Sequence, residues 1–121
     1  MRKLFSYIFF LLILNPIVAN SASFIEGLED VPLMQGLEQQ HSDAISFGNE
    51  ESRLIESTLI GKKVKFAGVE KFYQDTLPQM GWKIQGRKKN TLTFYRDRET
   101  LEITRIASHP LTIRITVKSK N

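Results

Sequence analysis

The hydrophobic pattern changes its period twice along the chain. In residues 24–41 (FIEGLEDVPLMQGLEQQH), apolar Ile25, Leu28, Val31, Leu33, Met34 and Leu37 are interrupted by Pro32 and two glycines, so neither a helical nor an alternating period persists. A solvated linker would not carry so many large apolar groups, so the segment reads as a short extended arm that docks on the domain. Ala44 to Phe47 and Arg53 to Ile60 are strand-like, and Gly48-Asn49 followed by two glutamates supplies the turn of a hairpin.

Between Val64 and Met80 the period becomes helical. Val69, Phe72, Tyr73, Thr76, Leu77 and Met80 recur at three- and four-residue steps, which predicts a helix from about Ala67 or Gly68 with one apolar stripe. Gly81 stands where a left-handed C-cap would end it, and Pro78 is expected to loosen the last turn. From Trp82 onward the period falls to two. Trp82, Ile84 and Gly86 are expected inward, followed by a polar turn at Arg87 to Asn90. Leu92 and Phe94 then alternate with Thr91, Thr93 and Tyr95. After a turn at Asp97 to Glu99 come Leu101, Ile103 and Arg105. After Ser108-His109-Pro110 come Leu111, Ile113, Ile115 and Val117. Strands with one apolar and one polar face beside a single amphipathic helix predict a two-layer α+β fold: an antiparallel sheet of five to six strands with one helix packed on one face.

The N-terminus has a different character. Arg2 and Lys3 precede an apolar run, Leu4 to Leu14, broken by Asn15-Pro16 and followed by small residues from Ala19 to Ser23. Such a run covers only about 17 Å of helix against a hydrocarbon core of about 30 Å, so a secretory signal peptide fits better than a membrane span. Cleavage is expected after Ser21 or Ser23, and an uncleaved inner-membrane anchor is the alternative. The chain thus divides into a signal peptide (1–23), an extended apolar arm (24–41) and an α+β domain (42–121). It has no cysteine, which excludes disulfides, thiol chemistry and a lipid anchor at the cleavage site. The expected location is the periplasm or the outside of the cell.

The formal charge of +4 includes Arg2 and Lys3, so the chain beyond residue 23 carries only +2. That small excess, with the export signal, argues against a nucleic-acid partner. The basic residues that remain gather at Lys62, Lys63, Lys65, at Arg87, Lys88, Lys89 and at Lys118 to Lys120. Such clusters are ordinarily solvated strand ends, with weak attraction to an anionic membrane face or wall polymer as the functional reading.

Residues for catalysis are sparse. His41 and His109 fall in predicted loops without the helical spacing of a metal motif, so neither a metal nor another cofactor is expected. Glu26, Glu29 and Asp30 lie in the arm, Glu50 and Glu51 in a turn, and the serines have no GxSxG elbow. No catalytic residue is assigned, and an enzyme is not expected. Phe72, Tyr73 and Trp82 bracket the helix-to-strand corner and read as core, with a shallow aromatic groove as the competing function. Tyr95 shares a face with Thr91 and Thr93 and suits an interface. Val31, Leu33 and Met34 of the arm are the other candidate binding residues, because an apolar arm can add an edge strand to a partner.

Gly27 to Met34 (GLEDVPLM) together with Phe72 to Trp82 (FYQDTLPQMGW) resembles a group of small exported alphaproteobacterial proteins that pair these two motifs. The lysine- and isoleucine-rich usage is similar to that of AT-rich, rickettsial genomes. This resemblance implies export and a single domain, and it transfers no activity. More distantly, the corner and the strands after it are similar to small envelope domains of outer-membrane assembly lipoproteins, whose lipid-carrying Cys this chain lacks. The favoured expectation is a non-catalytic envelope module that binds a protein partner. The alternative is a small-ligand or lipid-tail carrier gripping its guest against Phe72, Trp82 and Phe94.

Overall fold

The computed structural model describes residues 23–48 and 52–120, and the side chains among them except those of 41–47 and 120. The expected leader, apart from Ser23, lies outside the described residues, as do Asn49 to Glu51 of the expected turn and the side chain of His41. Among the described residues ten regular elements follow one another. A short hairpin, β1 (Phe24–Ile25) and β2 (Leu28–Pro32), precedes the long strands β3 (Glu38–Gly48) and β4 (Ser52–Gly61). Helix α1 (Phe66–Thr76) runs into a 3-10 turn (Leu77–Met80). Four strands then complete the chain: β5 (Lys83–Lys88), β6 (Thr91–Arg96), β7 (Glu99–Ser108) and β8 (Leu111–Lys120).

The long strands form one antiparallel sheet of six, in the order β3-β4-β8-β7-β6-β5, and β1 pairs with β2 in a separate two-stranded sheet. Two-residue turns join the last four strands, as the pairings Lys88↔Thr91, Arg96↔Glu99 and Ser108↔Leu111 require. The first residues of two of these turns, Lys89 and Asp97, take positive φ, a conformation Asp accepts more readily than Lys. Because the connection through α1 carries the chain from β4 to the far edge at β5, the meander returns and its last strand pairs with β4.

The helix forms where the period predicted it, one residue earlier than expected at Phe66. Phe66, Val69, Tyr73 and Leu77 turn the stripe onto the sheet. Pro78 does loosen the end, converting the final turn to 3-10 geometry, and Gly81 closes it at φ 92°. The amide of Trp82 then donates to the carbonyl of Leu77 across 3.1 Å. The resulting fold is α+β, with one α-helix among the described residues packed on the antiparallel sheet, and no described helix is long and apolar enough to cross a membrane.

The structure differs from the expected layout in three places. First, residues 24–41 are not a uniform extended arm. A turn at Glu26-Gly27 folds them into the β1–β2 hairpin, whose Ile25, Leu28 and Val31 join Leu37 inside the same core as the helix and sheet residues. The hairpin is thus part of the layer that covers the sheet. Gln39 fastens it there, accepting from the Glu26 amide at 2.8 Å and donating to the Glu26 carbonyl at 3.0 Å and to the hydroxyl of buried Ser57 at 2.8 Å. Second, β3 runs through residue 41, where the arm was expected to give way to the domain. Third, Ile84 does not pack inward with Trp82. It lies opposite Phe94 at the sheet edge and, among the described residues, is left 51% exposed.

The same strand holds an irregularity. A bulge between Ile84 and Gly86 shifts the register, so Gly86 pairs with Thr93 and Arg87 pairs with Leu92. Simple alternation would have kept Gly86 on the helix side. The extra residue brings Arg87 there instead, within reach of Glu70 on α1.

Candidate functional site

The two motifs noted in the sequence meet in space. Tyr73 of α1 donates its hydroxyl proton to the Pro32 carbonyl across 2.7 Å, linking the FYQDTLPQMGW corner to the GLEDVPLM segment. Burial pushes the Tyr73 phenol well above its ordinary pKa, and a backbone hydrogen bond from Met34 pulls weakly the other way. A second link passes through Arg96 at the end of β6. Its guanidinium lies 4.2 Å from the centre of the Trp82 ring and donates to the Met80 carbonyl at 3.0 Å, to Asp30 at 2.5 Å and to Glu99 at 2.8 Å. Burial works against its charge, but the hydrogen bonds to Glu99 and Asp30 outweigh it and hold the guanidinium ionised. Hairpin, helix corner and sheet are therefore joined at one half-buried arginine.

This changes the status of several expected binding residues. Val31 is fully buried and has no surface to offer a partner, and Leu33 and Met34 pack half-buried against the core. Tyr73 and Trp82 are core, Trp82 with 1% exposure and its Nε1 without a hydrogen-bond partner among the described residues. Phe72 is half-buried and meets the Tyr73 ring edge-on at 4.8 Å. Of the expected binding residues outside the corner, Tyr95 alone is open, at 42% exposure on the face away from the helix.

The accessible features lie elsewhere. β5 is an edge strand with all six residues exposed. Ile84 sits on its helix side, and Tyr95, paired with Lys83, presents an aromatic ring on the opposite side. On that outer face a shallow cleft of about 580 Å³ is lined by Gln85, Thr91, Thr93, Thr100 and Glu102 beside Lys88. The outer face continues across β7, β8 and β4 as threonines and charged pairs, with Thr91 and Thr104 hydroxyls 3.2 Å apart and Glu102 facing Lys118 at 3.7 Å.

A second cleft, about 440 Å³, lies where β3 begins and β4 ends and includes Lys62 and Lys63. A third, about 400 Å³, opens at the start of α1 and is lined by Lys65, Phe66, Glu70, Arg87, Lys89, Arg105 and His109 among others. Phe72, Trp82 and Phe94 line none of the three. Among the described residues, no three His, Asp or Glu side chains converge as metal ligands.

Compared with known protein families, with curated proteins and with solved structures, the chain gives no match in any of the three.

Proposed function

We propose that this chain is an exported envelope protein, acting in the periplasm or outside the cell, whose domain is a non-catalytic module that binds another envelope protein. The observation that carries this reading is the open β5 edge, a strand with unpaired backbone groups and exposed side chains on both of its faces. An extended segment of the partner would add a strand beside β5, with main-chain hydrogen bonds supplying affinity. Its side chains would meet Ile84 on one face and approach Tyr95 on the other. Lys83 and Lys88 disfavour pairing with a second copy of the same edge and favour an acidic segment, so they act as a selectivity device. An N-terminus retained as an inner-membrane anchor would leave this mode of binding unchanged.

The carrier alternative expects a cavity against Phe72, Trp82 and Phe94. Trp82 and Phe94 are instead packed into the core, and the described clefts open elsewhere.

Removing residues 24–40 would take Ile25, Leu28, Val31 and Leu37 out of the core, so point positions make a cleaner test. A photo-crosslinking amino acid placed at position 84 or 95 in producing cells is expected to give a discrete adduct with one partner. The same probe at Gln74, exposed on the helix, is expected to give none. Identical adducts from all three positions would remove the edge as the binding surface. Recovery of the protein from the cytosol with Met1 retained would remove export.

A further inference from the structure

We propose that the cleft at the start of α1 is an anion site that takes a multiply charged phosphate group. Two basic runs that are distant in sequence come together there. Lys65 comes from the first and Arg87 and Lys89 from the second, and Arg105 of β7 and His109 of the β7–β8 turn complete the rim of a cavity of about 400 Å³. Four fixed positive charges therefore face one carboxylate, that of Glu70. This carboxylate is already engaged, because Arg87 Nε and Nη2 both donate to it, the latter across 3.2 Å. The surplus stands in a concavity and not on a convex surface, where solvent would dissipate it more fully.

The remaining geometry is preorganised. Arg105 donates through Nη2 to Asn90 Oδ1 at 2.6 Å and through its backbone amide to the Asn90 carbonyl at 2.8 Å, while its guanidinium rides 5.2 Å from the Phe66 ring centre. Its position is thus set before any ligand arrives. Lys65 and Lys89 are exposed, and each ammonium can donate three hydrogen bonds. The first turn of α1 contains no acidic residue and its N-cap makes no side-chain hydrogen bond, so the helix field adds to that of the side chains. A monocarboxylate would leave most of this charge unmatched. A phosphate with two or more charges matches it and can accept from guanidinium and ammonium groups together.

Such a group has two sources, the headgroup of an anionic lipid or a free phosphorylated molecule, and the site recognises the chemistry they share. The cleft shares Arg87 with β5 but includes neither Ile84 nor Lys83, and the lysine variants below leave β5 untouched, so this site and the partner-binding edge are tested separately.

The test uses the full chain with inorganic pyrophosphate, and in parallel with vesicles of equal parts phosphatidic acid and phosphatidylcholine against vesicles of phosphatidylcholine alone. Saturable binding is expected in at least one arm, weakening as salt is raised. Pyrophosphate binding identifies a free phosphate ligand. Binding to the acidic vesicles alone identifies a headgroup at a lipid surface. The double variant Lys65→Gln with Lys89→Gln is expected to weaken binding about tenfold, through loss of charge-assisted hydrogen bonds. Lys62→Gln with Lys63→Gln removes the same charge outside the cleft and is expected to change it less than about twofold. All four lysines are exposed, so both variants retain the fold. Equal losses in the two variants, or no saturable binding in either arm, would overturn the proposal.

Discussion

Strands β8 and β5 sit in the same sheet, yet they treat their apolar positions differently. In β8, Leu111, Ile113, Ile115 and Val117 are all buried, because the strand runs between β4 and β7 beneath the covering layer. In β5 no residue is buried, and Ile84 stays exposed although its cross-strand partner Phe94 is fully enclosed. Alternation decides which face a side chain points to. Whether that face is dry depends on what lies over it, and at the β5 edge Ile84 is left 51% exposed among the described residues. The contrast separates the part of the molecule that stabilises the fold from the part left free to meet a partner.

The sharpest test of that division is Trp82, immediately before the edge strand but wholly inside the core. Trp82→Ala is expected to cost about 3–5 kcal/mol, measured as a fall in the urea midpoint at constant slope. A loss within about 0.5 kcal/mol would place the boundary between core and surface wrongly. Next in size is Ile113→Ala in β8, expected to cost about 2–4 kcal/mol by the same measurement.

Tyr73→Phe is a smaller change, because it removes one hydroxyl and leaves the buried Pro32 carbonyl without its donor, for an expected loss of about 1–2 kcal/mol. The pH dependence follows from the same bond. The folded state holds the Tyr73 proton above the ordinary value while the unfolded chain releases it near pH 10, so above that pH the native state binds more protons. The Tyr73 contribution is accordingly intact below about pH 10 and is lost as the pH rises further. Unfolding followed from pH 8 to about 11.5 should show a steeper alkaline decline in the parent than in Tyr73→Phe. Parallel curves would mean that Tyr73 ionises freely and is not enclosed.

Smallest of all, Ile84→Ala should alter stability by no more than about 0.5 kcal/mol, since the side chain is half in water already. A loss as large as that of Ile113→Ala would erase the contrast between the two strands.

Much of the fold was legible in the chain. The helix could be read from Val69, Tyr73 and Leu77, its loosened end from Pro78 and its stop from Gly81, because these are local steric and periodic effects. Strands β6, β7 and β8 could be read for the same reason. The β1–β2 hairpin was less visible, since its Ile25, Leu28 and Val31 follow a three-residue spacing imposed by a tight turn and by docking, and not by either regular period. The bulge that redirects Arg87 had no readable signal beyond Gly86, and a bulge inverts the faces of every residue after it.

Of the candidate surfaces, Tyr95 was visible as an outward aromatic. Val31 was misplaced because an apolar residue in an irregular segment reads the same whether it serves its own core or another protein. The basic cleft was visible only as separate runs at Lys62 to Lys65 and at Arg87 to Lys89. Neither run names Arg105 or His109, and the first divides between two clefts, Lys62 and Lys63 going to one and Lys65 to the other.

By itself, then, the sequence determined the α+β class, the extent of the helix and the inward faces of the central strands, because steric preference and burial period act between near neighbours in the chain. Only the tertiary structure decided that β8 closes beside β4, that Arg96 joins Asp30 to Trp82, that β5 is left open at the edge and that distant cations share one cleft. Those outcomes depend on contacts between segments far apart in the chain, where the geometry is set by how whole layers pack and not by the residues on either side.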